Sequence, residues 1–264
     1  MAKPELGQKE RNTDSLQQFF LEYLQKISCQ GILGVAEFQR VYEDLMPVQQ
    51  DRLRSFADSR FESLIDSGYV ISIGIAYRGS IIHCINVADG KKVDYEKWNI
   101  YAEEYHRLNG LLNAAAQLVA DRFEGVPIPA TIEGVAAKVK HVTQYYPLTI
   151  SHRVVAEHAG LGWRGKNGLL INEKYSCALR FASVVTSFPL LHGTRMKSRC
   201  GNCTACEDAC TFIRYREQVK DYRENCRRYL VFLGKQGLKR DVCGKCIRAC
   251  VQDSIFKNQF VLDA

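Results

Sequence analysis

Eight of the eleven cysteines of this sequence fall between Cys200 and Cys250. The first four form an uninterrupted run, Cys200-x2-Cys203-x2-Cys206-x3-Cys210, with Thr211 where such runs usually carry proline. Three thiolates in so short a loop can cover three corners of a cubane iron–sulfur cluster from one side. The fourth cysteine of such a run serves a second cluster. Downstream stand Cys226 and then Cys243-x2-Cys246-x3-Cys250. The expected metal ligands are therefore Cys200, Cys203, Cys206 and Cys250 for one [4Fe-4S] cluster, and Cys210, Cys226, Cys243 and Cys246 for a second. The alternative is structural zinc in two four-cysteine sites, although zinc ribbons usually carry two separated C-x2-C pairs. Disulfides fit poorly. The opening residues, MAKPELGQKERNTDSLQQ, have no apolar segment behind a basic start and no twin arginine, so the expected setting is reducing cytoplasm.

Such ligands need a framework, and the remainder of the chain supplies the elements for one. With 264 residues, 46% hydrophobic and 25% charged, it can bury a sizeable core and is neither disordered nor collagen-like. No apolar run is long enough to span a bilayer, the longest being YVISIGIAY (69–77), so no membrane partner is expected. Asp14 or Ser15 can cap a helix that continues through Leu16, Phe20, Leu24 and Ile27. GILGVAEF (31–38) reads as a strand, 39–67 as polar helix and 70–76 as a β-branched strand. A long helix is expected from Tyr95 to Phe123, closed by the breakers Pro127 and Pro129. Tyr145-Tyr146-Pro147 opens a turn, Ser151 to His158 is helical, and Leu169–Ile171 and Phe181–Thr186 are strands. This alternation argues for an α+β layer structure through about residue 190. Beyond Pro189 the composition turns to cysteine and arginine, which places a domain boundary between 1–190 and 191–264. The net charge of +7 lies wholly in that second part. Its lysines and arginines either offset negatively charged clusters or form a nucleic-acid patch.

Between the two parts sits a glycine-rich segment. Gly160-x-Gly162-x2-Gly165 matches the dinucleotide fingerprint in letters, but a helical segment precedes it and no acidic residue follows about 20 positions on. Gly160-x4-Gly165-Lys166-Asn167 approaches a phosphate loop, but Asn167 replaces the magnesium-binding Ser/Thr. What remains is a tight loop where backbone can come close to a large flat ligand.

AGLGWRGKNGLLIN (159–172), TSFPL (186–190) and the eight-cysteine order together resemble the epoxyqueuosine reductase family, with ILGVAE (32–37), ISIGIAY (71–77) and EYHRL (104–108) in support. The resemblance implies a nitroreductase-like cobalamin-binding domain followed by a bacterial-type two-cluster ferredoxin domain. It implies cobalamin held against Ala159, Gly160, Leu161, Gly162, Trp163, Gly165, Lys166 and Asn167. Electrons from a donor such as reduced ferredoxin or flavodoxin would pass through the clusters, and the epoxide of a modified nucleoside in tRNA would be reduced to queuosine. Tyr146 stands where that family carries its proton-donating Asp, and His152-Arg153 where it carries Glu-Arg. At Tyr146 the chain resembles the related reductive dehalogenases, whose donor is a tyrosine steadied by an asparagine and an arginine. Tyr146, Asn167 and Arg180 are the catalytic counterparts that resemblance implies. A dehalogenase-like reductase of a small molecule is therefore the alternative, and an electron carrier or cobalamin-handling protein is a third reading. Cys29, Cys84 and Cys177 read as core residues. His106 and His158 are open either to the reacting centre or to ordinary structural roles.

Overall fold

A computed structural model of the chain describes residues 5–88, 92–131 and 133–262. Helix α1 (Leu6–Lys26) leads into β1 (Gly31–Glu37). Three short helices, α2 (Phe38–Asp44), α3 (Pro47–Ala57) and α4 (Phe61–Ser67), return the chain to β2 (Tyr69–Ala76). Helix α5 (Gly79–His83) and a small ribbon of β3 (Val87–Ala88) and β4 (Lys92–Val93) precede the long α6 (Tyr95–Arg122) and then β5 (Gly125–Ile128). Two 3-10 turns, Val142–Gln144 and Tyr146–Leu148, lead to α7 (His152–His158). A second ribbon, β6 (Trp163–Arg164) with β7 (Leu170–Ile171), is followed by β8 (Leu179–Thr186). The cysteine-rich part contains α8 (Ala205–Ala209), α9 (Thr211–Arg214), α10 (Tyr222–Lys235) and α11 (Lys245–Asp253).

The main sheet has the order β1-β2-β8-β5, with every pairing antiparallel. Ile73 of β2 faces Leu33 on one side and Ala182 on the other. All eight residues of β2 are buried, so both faces of the sheet are covered. Alternate strand residues go to opposite cores, as the two-residue period demands. Ile71, Ile73 and Ile75 pack with Leu16 and Phe20 of α1 and Leu108 and Leu112 of α6. Val70 and Val185 pack with Phe38, Leu53 and Val155 from the helices on the other side. Pro127 is tolerated inside β5 because that strand is an edge. The architecture is mixed helix and antiparallel sheet.

One expectation about boundaries fails. Helix α1 starts at Leu6 behind Glu5, well before Asp14 and Ser15. The polar residues that read as a start signal serve elsewhere. Asn12 Nδ2 donates to Pro189 O at 2.8 Å, and Thr13 Oγ1 accepts from Leu191 N at 2.9 Å, pinning the chain where it leaves β8. The composition does change near residue 190, yet the core is continuous across it. Leu233, Leu238, Val242 and Ile247 join the cluster built by α1, α6 and β2.

Candidate redox site

The eight clustered cysteines sort into two groups. Cys200 and Cys203 lie on the loop into α8, where Cys203 N bonds Cys200 O at 2.9 Å, Cys206 lies in the first turn of α8, and Cys250 is on α11. These four line one small apolar cavity, closed by Ile171 and Phe256. Burial, followed by Cys250, Glu207, Cys200 and Cys203, pushes the Cys206 thiol up to about 12. In the other group, Cys226 on α10 and Cys243 and Cys246 at the start of α11 line a much larger cavity of about 730 Å³. Burial, then Cys210 and Cys243, pushes Cys226 up to about 12, and burial above all pushes Cys243 up to about 11. Cys246 is raised by burial and then by Cys243, Cys210 and Cys226. Buried thiols crowded in this way stay protonated until a metal takes the proton's place. Among the described residues, no three His, Cys, Asp or Glu side chains converge on a single-ion site. Four sulfurs around one zinc at 2.3 Å would stand only about 3.8 Å apart, whereas four thiolates around a cube bind four different irons and stand wider.

Cys177 is a ninth cysteine at this site. It is buried, lines the large cavity and contacts Cys250 of the first group. Asn167 is also buried and lines both cavities. Its Nδ2 donates to Cys177 Sγ at 3.5 Å and its Oδ1 accepts from Leu169 N at 3.0 Å.

Tyr146 and Arg180 both line the large cavity, but the structure does not pair them. Tyr146 is raised by burial, and the cation opposing that rise is Arg223. Arg180 acts on Tyr105, Tyr77, Tyr101 and Tyr145; burial and Tyr105 push Tyr145 up to about 12 against the pull of Arg180. Tyr145 joins the two 3-10 turns and Tyr146 opens the second, so the two side chains meet different cations. Arg180 is held from behind, donating from Nε and Nη2 to Asn109 Oδ1 at 3.1 and 2.8 Å. Its guanidinium lies over the Tyr105 ring at 4.0 Å. Asn109 in turn donates to Glu133 at 2.5 Å, and Glu133 meets His106 at 2.9 Å. His106 is thus on the outer side of this chain of contacts, away from the cavity. His158 pairs with Asp44 at 3.1 Å. His152 lines the cavity with both ring nitrogens engaged, Nδ1 with Ser183 Oγ at 2.8 Å and Nε2 with Pro129 O at 2.9 Å.

The glycine-rich loop faces the large cavity only through its second half, from Arg164 and then Asn167 to Leu170. Its first half is occupied by packing. A Cβ on Gly162 would stand 2.1 Å from Ile171 O, and one on Gly160, at φ +72°, 2.9 Å from Thr194 O. Leu161 lies against Gly34 of β1, and the buried Trp163 packs edge-on to Phe256. Ala159, Gly160, Leu161, Gly162 and Trp163 therefore anchor the loop to the sheet and to the following chain. Gly165 and Lys166 border a separate outer depression with Arg216. Lys166 Nζ donates to Cys203 O at 2.9 Å, tying the loop to the first cysteine group.

No family model matches the chain. It is similar to curated epoxyqueuosine reductases: 29% identical over 154 residues to that of Lactococcus garvieae, covering 56% of this chain and 38% of that protein. To the Synechocystis enzyme it is 41% identical over 70 residues, covering 26% and 24%. The chain thus spans well under half the length of these relatives. A crystal structure of epoxyqueuosine reductase with an epoxyqueuosine-modified tRNA stem loop aligns with a TM-score of 0.44 and 17% identity, covering 76% of this chain and 53% of that one. Among the described residues no helix is long and apolar enough to cross a membrane.

Alignment by resemblance missed Tyr145, Arg223 and Ser176. Tyr145 is adjacent in sequence to the residue chosen, and only the turn geometry separates them. Arg223 had a weak signal as the first basic residue of a helix that begins four positions before Cys226. Ser176, whose Oγ lies 3.2 Å from Cys250 Sγ, had none.

Proposed function

We propose that this chain is a cytoplasmic iron–sulfur reductase of the epoxyqueuosine reductase kind, reducing the epoxide of epoxyqueuosine in tRNA to queuosine. The observation that carries it is the large cavity itself. Its lining brings cysteines of the second group, Cys226, Cys243 and Cys246, together with an anchored arginine and a set of tyrosines, Tyr101 lying next to Cys243. Cys200, Cys203, Cys206 and Cys250 hold one [4Fe-4S] cluster; Cys210, Cys226, Cys243 and Cys246 hold the other, nearer the cavity. Residues 1–190 form a nitroreductase-like domain and 191–264 a ferredoxin-like one. A reduced ferredoxin or flavodoxin is the proposed electron donor.

Cobalamin is the cofactor proposed for the cavity, and when bound it would supply the reducing metal. The residues present suit it. The cavity is large and mostly apolar, and its one buried histidine has no free nitrogen to offer as a ligand. Leu169, Leu170 and Ile150 give it an apolar wall. Tyr145 holds the proton that the opened epoxide needs. Arg180, fixed by Asn109, stabilises the phenolate left behind. One observation favours the second reading, a small activated substrate: Tyr146 stands where the resemblance places the family's carboxylate, and the proposed acid beside it is also a tyrosine, Tyr145 with Arg180.

The test is anaerobic purification followed by iron, sulfide and cobalt analysis and an optical spectrum. About eight irons and eight sulfides per chain are expected, with corrinoid retained on reconstitution. Incubation with an epoxyqueuosine-modified tRNA stem loop and a chemical reductant should then yield queuosine. Zinc in place of iron and sulfide, or no retained corrinoid, would overturn the proposal. Cofactors present but no queuosine would move the assignment to a small-molecule substrate.

A further inference from the structure

Ser176 sits in a left-handed backbone conformation, φ +54°, although it is not a glycine. It is fully buried. The loop holding it there, 172–176, is tightly fixed. Asn172 N bonds Ser176 O and Ser176 N bonds Asn172 O, each at 2.9 Å, while Asn172 Oδ1 accepts from Lys174 N at 2.9 Å and Tyr175 N at 3.0 Å. Glycine would occupy this position without strain, so the serine side chain has to account for its presence. Its hydroxyl has one partner, the sulfur of Cys250, at 3.2 Å.

From this we infer that Ser176 is a positioning residue for electron transfer: its O–H donates to the thiolate of Cys250 and sets the reduction potential of the cluster held by Cys200, Cys203, Cys206 and Cys250. The inference rests on the proposal that these four cysteines hold a cluster. A hydrogen bond to a ligating sulfur withdraws negative charge from the cluster and favours its reduced form, so it raises the potential. The site is suited to this, because the hydroxyl is away from water and Cys250 is itself buried. Cys250 also accepts from Cys177, and Cys243 of the other group accepts from the backbone of Lys245. The hydroxyl of Ser176 is thus an added bias on the first cluster from a residue that belongs to neither cysteine motif, lying on the loop between β7 and β8. That loop also leads directly to Cys177 and Arg180, so one short segment touches the cluster, the space between the two groups and the cavity.

The experiment is a redox titration of the reconstituted, full-length protein, followed by electron paramagnetic resonance, for wild type, Ser176→Ala and Ser176→Gly. Ala removes the hydroxyl and keeps the strained backbone; Gly removes the hydroxyl and relieves the strain. Both variants should move one of the two cluster signals to lower potential and leave the other in place, while Gly melts no lower than wild type. A serine that merely shaped the loop would let Gly behave as wild type in the titration, and that result overturns the inference. So does loss of iron from both variants, which would make the hydroxyl a structural prop. If wild type itself binds no iron and sulfide, the cluster proposal fails and this inference with it. Iron retained at wild-type level with unmoved potentials sinks this inference alone.

Discussion

Arg180 stacks its guanidinium 4.0 Å over the ring of Tyr105, and Asn109 holds its edge from behind. A cation fixed in this way acts only on the groups its position reaches, and Tyr145 is among them while Tyr146 is under Arg223. Tyr145→Phe is expected to lower single-turnover reduction by about 10²–10⁴-fold, the usual loss when a positioned acid is removed. Iron, sulfide and corrinoid content should be unchanged. Tyr146→Phe should stay within a few-fold of wild type. The reverse order of effects would make Tyr146 the donor.

The two cysteine groups are expected to fail independently. Cys206→Ala should empty the small apolar cavity of its cluster, and Cys226→Ala the site beside the large one. Each should reduce iron from about eight to about four per chain if the assignment of ligands is right. Cys177→Ala should retain all the iron, because that thiol contacts a ligand without being one. Loss of a cluster in Cys177→Ala, or retention of both in Cys206→Ala, would require the ligand sets to be redrawn. Iron analysis and the cluster signals of each variant decide it.

The proximity of Cys200, Cys203 and Cys206 was legible because it is local: seven positions of spacing keep three sulfurs on one side of a single cavity. The sheet was legible for a similar reason, since Tyr69–Ala76 and Leu179–Thr186 carry strand-length runs of β-branched and apolar residues. The proposed proton site was not. Tyr145, Arg180, Asn109 and Tyr105 come from the junction of two 3-10 turns, β8 and α6, and their meeting is decided by how α6 crosses the sheet. No periodicity within any one segment encodes it. The start of α1 was misread because a polar Asn-Thr-Asp-Ser stretch is the same in composition whether it caps a helix or pins a neighbouring chain from within one. The glycines of 159–165 announced a close approach to something. That the approach was to Ile171 and Thr194 was beyond the sequence.

That packing makes Gly162 and Gly193 sensitive positions. A methyl on Gly193 would come 2.1 Å from Ala159 O, as one on Gly162 would from Ile171 O. Both neighbours are backbone, which moves only with its whole segment. Gly162→Ala and Gly193→Ala are each expected to cost more than about 2 kcal/mol, measured by denaturant unfolding. Gly134 also has a positive φ, +68°, but nothing stands within 4 Å of where its Cβ would be. Gly134→Ala should cost only about 1 kcal/mol, the conformational penalty alone. Gly193 has no positive φ, so its loss is the clash alone, and equal losses at Gly162 and Gly134 would mean that conformation outweighs the clash.

His152 gives the fold a definite acid limit. Burial holds its imidazole down to about 4, against an ordinary value near 6.5, and Arg180 adds in the same direction. The neutral ring is the form that bridges Ser183 and Pro129. Between those two values the unfolded chain binds a proton that the folded chain refuses, so stability falls as pH drops from about 6.5 towards 4. At 1.36 kcal/mol per pH unit, the full loss from this one group is at most about 3 kcal/mol. Denaturant unfolding of wild type from pH 7.5 to 5 should show the loss beginning below about 6.5. His152→Gln should be less stable at pH 7.5, with a shallower fall over the same interval. If the two proteins lost stability in parallel, the acid sensitivity would belong to other groups, and the cavity wall around His152 would have to be more open to water than its 5% exposure indicates.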